Sequence, residues 1–241
     1  MRLLMLLLIL VTGVARPVLA GPLEDGLAAY KKGDWDTAIR LLLPLAEKGD
    51  AQAQEKIGRL YDRGRGFPRN YAEAERWYRK AAEQGDAPAQ SRLAFMYRSG
   101  KVGPRNAGPK EFAEALELYR KAAAQNNPLA QVGLGYMLWA GEGMPVDPAA
   151  AASWFRKAAD QGDALAQLSL GTLYEQGKGV PKDNVQAYKW FDLATIDDGE
   201  YEADLFTRAK LHRDKIAGEM TRQQIAAAQK LVQEWKATHP R

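Results

Sequence analysis

The sequence predicts an all-α protein, an α/α solenoid (superhelix) of stacked helix pairs with a C-terminal capping helix. The first observation is an internal repeat. Closely related sequence segments end at Gln54, Gln90, Gln131 and Gln167, which are 36, 41 and 36 residues apart. The second is helical periodicity, because the apolar residues of the stretch 72–90 recur at the spacing of one helix face. Repeats of this length are typical of solenoids, in which each unit buries its apolar face against its neighbours.

The second helix of the first complete repeat shows both the stripe and the expected helix end. Trp77 and Tyr78 lie on its apolar face. Gly85 is expected to take the left-handed backbone that ends a helix, and Asp86 to cap the next helix by accepting from its first amides. At the third junction Asn126-Asn127 takes both roles, since asparagine tolerates the left-handed conformation and also caps helices.

The first helix of each repeat carries an aliphatic residue followed by a small one. A glycine inside a helix costs about 0.8–1.0 kcal/mol relative to alanine, so its recurrence predicts that two helices cross there in close contact. The pairs are Ile57-Gly58, Leu93-Ala94, Leu134-Gly135 and Leu170-Gly171.

Gly-x-Gly motifs occur between the helices at residues 64–66, 141–143 and 177–179. A dinucleotide site would need a preceding strand and a third glycine at fixed spacing, and both are missing, so these motifs are expected to be turns. The second repeat also has a five-residue insertion within residues 103–110. Inserted loops often carry contacts.

The first twenty residues have the features of a cleaved signal peptide. Arg2 precedes an apolar run, and Ala20 ends an acceptable cleavage site. A membrane anchor is the alternative, but spanning takes about 20 apolar residues, and Arg16 interrupts this segment. We therefore expect cleavage after Ala20, a periplasmic or secreted mature protein, and no stable membrane insertion after cleavage.

The charge balance and cysteine content narrow the function classes. The chain has 34 Lys and Arg against 30 Asp and Glu. Without Arg2 and Arg16 the count is 32 against 30, a net charge of +2, which predicts no nucleic-acid partner. The absence of cysteine excludes disulfide bonds and a thiol nucleophile.

The last helix is predicted to cap the solenoid. Thr221 and Gln224 form a capping box. The predicted buried stripe comprises Ile225, Ala228, Val232 and Trp235. A preceding helix is expected from about Glu202 to Ala217.

The repeats follow the pattern A-x-A-Q-x-x-L-G-x-x-Y-x-x-G-x-G-x-P, then A-x-x-W-Y-x-K-A-A-x-Q-G-D. This pattern resembles the Sel-one-like repeat (SLR), a relative of the tetratricopeptide repeat. Ala94, Leu118 and Leu138 depart from it. The expected organisation is a signal peptide at 1–20, a partial tetratricopeptide-like unit at 21–50, repeats at 51–86, 87–127, 128–163 and 164–197, and capping helices at 198–241. The resemblance implies a superhelical scaffold or adaptor. Its implied roles include envelope signalling and polysaccharide regulation, through partner proteins of those processes.

Catalysis is not expected. The two histidines, His212 and His239, both lie outside the repeats, and no nucleophile, base or metal set comes together in the sequence. No cofactor or metal is predicted. Some cysteine-rich members of the family that this chain resembles bind or hydrolyse β-lactams, and this chain lacks their cysteines, so a β-lactam enzyme is the lesser alternative.

The binding hypothesis uses the first helices, which line the concave groove in tetratricopeptide-like pairs. Positions two before, two after and five after the aliphatic residue of each pair are expected to be exposed there. The candidate partner-binding residues are Arg59, Phe95, Arg98, Tyr136, Trp139 and Glu175. Aromatic residues and arginine often dominate interface energetics, so we expect a protein or peptide partner. The aromatic residues could instead pack between repeats, and a glycan or peptidoglycan ligand is an alternative because sugars also stack on aromatic faces.

Overall fold

The structure confirms an all-α fold of consecutive helix pairs. The computed structural model describes residues 21–102, 108–196 and 203–239, and within these ranges there are twelve helices and no strand. The helices are α1 (Pro22–Lys32), α2 (Trp35–Glu47), α3 (Ala51–Arg63), α4 (Tyr71–Glu83), α5 (Ala87–Arg98), α6 (Pro109–Ala124), α7 (Pro128–Ala140), α8 (Pro148–Asp160), α9 (Ala164–Gln176), α10 (Asn184–Leu193), α11 (Ala203–Gly218) and α12 (Arg222–Thr238).

Each helix from α1 to α10 packs on the next one in the chain, and α12 packs on α10. The first helices α5 and α7 also contact one another. We use the term first-helix groove for the surface formed by α3, α5, α7 and α9. The predicted signal peptide at 1–20 and most of the inserted loop, residues 103–107, lie outside the described residues, as do residues 197–202.

The helix junctions form as their residues predict. Gly85 has φ 90°, and Asp86 accepts a hydrogen bond from the amide of Ala89 at 2.7 Å. Asn126 has φ 61° and is the single non-glycine residue with positive φ among the described residues. Asn127 caps α7 by accepting from Ala130 at 3.0 Å. The short junctions therefore fix where each helix pair turns onto the next.

The small residues of the first helices lie under aromatic rings of the second helices. A Cβ added at Gly58 would lie 2.7 Å from the ring of Tyr78, and one at Gly135 would lie 2.6 Å from Phe155. In the second repeat Ala94 stands at this position, and it is buried in the same core cluster as Tyr119. There Tyr119 lies against Gly133 of the following repeat, 2.3 Å from an ideal Cβ.

A ladder of glutamine side chains joins successive repeats. The side chain of Gln54 donates to the carbonyl of Ala46 at 3.0 Å, and its Oε1 accepts from Gln84 at 2.8 Å. Equivalent glutamine pairs join Gln90 to Gln125 at 3.2 Å and Gln131 to Gln161 at 2.9 Å. At Gln167 the ladder ends, and its buried Oε1 has no hydrogen-bond partner among the described residues.

The two C-terminal helices cover the last repeat. Thr221 and Gln224 form the predicted capping box. Val232 and Trp235 are buried in the same core cluster as Trp190 of α10. Ile225, which the periodicity predicts to be buried with them, is only half-buried.

Candidate functional site

Three of the candidate residues, Phe95, Arg98 and Tyr136, line one cavity in the first-helix groove. This central cavity has a volume of about 380 Å³ and lies between α3, α5 and α7, with Leu165 of α9 at its edge. Phe95 and Tyr136 are partly buried and also pack against core clusters. Each ring therefore fits both hypotheses made from the sequence, packing between repeats and partner binding, because it packs on the core and also lines an open cavity.

Cations lie over the aromatic rings of the central cavity. The guanidinium carbon of Arg98 lies 5.8 Å from the ring centre of Phe95 and 5.5 Å from that of Tyr136. The Nζ of Lys101 lies 5.1 Å from Phe95 and 5.0 Å from Tyr71. These distances are typical of cation–π attraction, which holds each charged group at a defined position on the wall.

The central cavity is basic. Its lining includes the cations Arg63, Arg69, Arg92, Arg98 and Lys101 and one carboxylate, Asp62. Lys101 pairs with Asp62 at 3.1 Å, and Arg98 pairs with Glu142 at 3.1 Å.

Tyr119 forms the floor of the cavity, where α6 meets Gly133. Burial raises the pKa of Tyr119 to about 12, although the neighbouring charge of Arg98 acts in the opposite direction. Burial lowers the pKa of Arg98, but the nearby Tyr119 and Glu142 more than offset this and raise it. Tyr119 is therefore neutral and Arg98 is charged at physiological pH.

Arg59 lies at the N-terminal side of the central cavity and does not line it. It is 3.9 Å from the carboxylate of Glu55, which also contacts Lys56 at 2.6 Å and Arg92 at 3.5 Å. The Glu55 side chain is only 1% exposed, so three cations neutralise a carboxylate behind the cavity wall. The guanidinium of Arg59 lies 5.8 Å from the ring of Tyr30.

One set of predicted groove positions is wrong. The residues two before each aliphatic residue, predicted to be exposed, are buried because they face neighbouring helices. These residues are Glu55, Ser91, Val132 and Leu168. Ser91, for example, donates to the carbonyl of Ala87 at 2.9 Å and contacts the side chain of Asn127 at 2.8 Å.

Trp139 lines a second cavity, of about 320 Å³, together with Tyr136, Thr172 and Arg208. The Nζ of Lys178 lies 5.2 Å from the Trp139 ring centre. Tyr136 separates the two cavities, and its hydroxyl forms a 2.8 Å hydrogen bond with Ser169. The aromatic candidates are thus neighbours, although they do not share a single pocket.

Glu175 is held by the C-terminal helix α11. Its carboxylate accepts from Lys215 at 2.7 Å and lies 3.2 Å from Nδ1 of His212. The ring of His212 lies 5.1 Å from that of Phe191. Burial raises the pKa of Glu175, but Lys215 and His212 outweigh burial and hold it below its ordinary value of 4.5. Glu175 therefore attaches α11 to the groove at the fourth repeat.

Some cavity residues were not identified from the sequence. Arg92 and Lys101 lie off the three positions used for prediction, and Tyr71 and Tyr119 belong to second helices.

The described residues contain no group of three or more His, Asp or Glu side chains placed to hold a metal ion. Within the same ranges, no helix is both long enough and apolar enough to cross a membrane.

Comparison with known proteins identifies the repeats. The Sel1 repeat model matches residues 51–86, 87–127, 128–163 and 164–195. This chain belongs to the Sel1 repeat family. Membership of the Sel1 repeat family suggests a protein–protein interaction scaffold. The comparison with curated proteins found no match.

Solved Sel1 repeat structures share the fold. A Sel1 repeat protein from Oxalobacter formigenes is 33% identical, with a TM-score of 0.61 over 86% of this chain and 85% of that chain. A protective antigen of uropathogenic Escherichia coli that displays an SLR fold is 30% identical, with a TM-score of 0.54. The match covers 90% of this chain and 52% of the E. coli protein, so this chain spans about half of that protein's length.

Proposed function

We propose that this Sel1 repeat protein is an exported, non-catalytic scaffold that binds a protein partner in the first-helix groove. The observation that supports this most is the central cavity, where aromatic rings and cations form an open, partly buried site across the second and third repeats. Interfaces are typically dominated by a few aromatic and arginine side chains of this kind.

Export is part of the proposal and rests on residues 1–20. Their apolar run and the cleavage site after Ala20 support a mature protein that begins at Gly21 and is periplasmic or secreted. Intact-mass measurement of the exported protein is expected to give the mass of residues 21–241. A mass that retains residues 1–20 contradicts cleavage.

The contacts in the groove favour a protein partner over a glycan. Cations lie beside the rings of Phe95, Tyr136 and Trp139. A protein can offer both apolar and acidic side chains to such a surface, whereas a neutral sugar offers no charge. Both histidines also have structural contacts, His212 with Glu175 and His239 with Trp235, whose ring centre is 4.1 Å away. A β-lactam enzyme is therefore the weaker alternative.

Site-specific photo-crosslinking in the native envelope tests the proposal. The photoreactive residue replaces Arg69, an exposed residue of the cavity lining, or Arg222, an exposed residue of α12 that serves as the control. We expect a protein adduct from position 69 that is absent from position 222 and is lost when Phe95→Ala is added. Equal adducts at both positions, or adducts insensitive to Phe95→Ala, contradict binding in the groove. A glycan array with the same proteins tests the glycan alternative.

A further inference from the structure

We propose that the central cavity binds an acidic segment of the partner protein, with a carboxylate placed between Arg98 and Lys101 and a neighbouring apolar side chain against Phe95 and Tyr136. This inference rests on the proposed function, since it assigns a chemistry to the partner of the same groove.

Charge complementarity is the first argument. The cavity lining has five cations and one carboxylate. Two more carboxylates lie against it, Glu55 beside Arg92 and Glu142 beside Arg98. The lining is therefore richer in cations than in carboxylates. Because the whole mature chain carries a net charge of only +2, this basic lining is a local feature, and it selects for a negatively charged partner.

The two central cations, Arg98 and Lys101, are already positioned in the cavity. The side chain of Arg98 is 19% exposed and that of Lys101 is 28% exposed. Both are held over aromatic rings and by one carboxylate each. A positioned cation loses less conformational freedom when a ligand carboxylate arrives, and pre-organisation of this kind raises affinity.

Size and polarity restrict the ligand class. A volume of about 380 Å³ lies at the lower end of the range for small-molecule pockets, so it admits one or two side chains. The rings of Phe95 and Tyr136 offer apolar contact beside the charges, which an acidic peptide with an aliphatic residue uses fully. A nucleic acid would instead need a basic surface that continues along several phosphates, and the carboxylates Asp62 and Glu142 interrupt this one.

The fourth repeat provides an internal parallel. There the groove carboxylate Glu175 pairs with the cation Lys215 of α11 and lies 3.2 Å from His212, so a segment of this chain already occupies the groove by contact with a carboxylate. The charges are reversed at the central cavity, where the groove supplies the cations. The acidic segment is therefore expected at the second and third repeats, away from α11.

Fluorescence anisotropy with synthetic peptides tests the inference. The protein is the mature chain, residues 21–241. The probe is a short rhodamine-labelled peptide of glutamate and leucine, compared with versions in which glutamine or lysine replaces every glutamate. We expect the glutamate peptide to bind at least about tenfold more tightly than the glutamine peptide, a difference of about 1.4 kcal/mol, and the lysine peptide to bind not at all. Added salt is expected to weaken the glutamate complex, because screening reduces exposed ion pairing.

Two cavity variants and one control assign the binding to the central cavity. Lys101→Ala and Phe95→Ala are each expected to weaken the glutamate peptide about tenfold. Lys210→Ala removes an exposed cation of α11 and is expected to leave the affinity unchanged. Circular dichroism of each variant shows that it remains folded, and if Phe95→Ala is unfolded the comparison of Lys101→Ala with Lys210→Ala still decides.

Three results would overturn the inference: equal affinity for the glutamate and glutamine peptides, equal losses in Lys101→Ala and Lys210→Ala, or tighter binding of single-stranded DNA than of the glutamate peptide. Absence of peptide binding by the folded protein would also overturn it. If crosslinking at position 69 still gives a Phe95-dependent protein adduct in that case, the proposed groove binding stands and only the acidic chemistry fails.

Discussion

The first-helix groove has two sections with opposite arrangements. At the second and third repeats, α5 and α7 present a basic cavity that the described part of the chain leaves open. At the fourth repeat, α11 lies against the groove, and its Lys215 and His212 reach Glu175. The comparison shows that one row of equivalent helices supports both an open cavity and a surface that α11 covers. The difference arises beyond α10, where the repeat pattern ends and α11 turns back onto the groove.

The C-terminal helices cover the groove at the fourth repeat. Disrupting their packing is expected to give the largest loss of stability. Trp235 of α12 is 8% exposed and belongs to the core cluster that includes Trp190. Trp235→Ala is expected to lower the free energy of unfolding by about 3–5 kcal/mol, as large-to-small core substitutions do. Urea unfolding measures this. Gln233→Ala, at an exposed position of the same helix, is the control and is expected to change stability by less than about 0.5 kcal/mol.

A substitution at Gly133, where Tyr119 forms the floor of the central cavity, is expected to disrupt the open section of the groove. An added Cβ at Gly133 would lie 2.3 Å from the Tyr119 ring, and Tyr119 is only 1% exposed. We expect Gly133→Ala to destabilise the fold by about 1–3 kcal/mol through overpacking and to weaken binding of the glutamate peptide. Gly218→Ala is the matched control, because nothing lies within 4 Å of its added Cβ. Equal unfolding curves for the two variants would show that Tyr119 moves freely.

The glutamine ladder is expected to contribute more to the free energy of unfolding in the open section of the groove than in the covered section. Gln90 of α5 both donates to the carbonyl of Ala82 and accepts from Gln125, whereas Gln167 of α9 donates to Ala159 and its Oε1 has no partner among the described residues. Gln90→Met is therefore expected to cost about 1 kcal/mol more than Gln167→Met, since it removes one more buried hydrogen bond. Chemical unfolding of both variants checks the difference. A larger loss for Gln167→Met would indicate that the end of the ladder is satisfied elsewhere.

The smallest effect concerns the attachment of α11. The pKa of Glu175 is held below 4.5 in the folded protein, so its carboxylate stabilises the fold at higher pH. That contribution is lost as the pH falls below 4.5 through the lowered pKa. Glu175→Gln removes the charge at every pH and is expected to increase proteolysis within α11 slightly at neutral pH. The difference between wild type and Glu175→Gln is expected to vanish in acid. A difference that persists there would assign the role of Glu175 to packing.

Local signals in the sequence were sufficient for the helix pairs, the junction caps and the capping box, because glycine, asparagine and aspartate act within a few residues of their own position. The groove was predicted only in part. Arg98, Phe95 and Tyr136 do line one cavity. The position of Tyr119 on Gly133 and the placement of α11 on Glu175 are long-range contacts, and the repeat spacing contains no information about them. The glutamine repeat was visible in the sequence, but its hydrogen bonds between repeats follow only from the stacked geometry.

Hydrogen–deuterium exchange of the mature protein, with and without the glutamate peptide, tests most directly whether the two groove sections differ in function. The account predicts slower exchange in residues 92–101 and 129–136, which line the central cavity, and unchanged exchange in residues 172–176 and 203–218, where α11 meets α9. Slower exchange confined to α9 and α11, or faster exchange in α11 as it leaves the groove, would contradict it, because the peptide would then bind at the section that the chain covers itself.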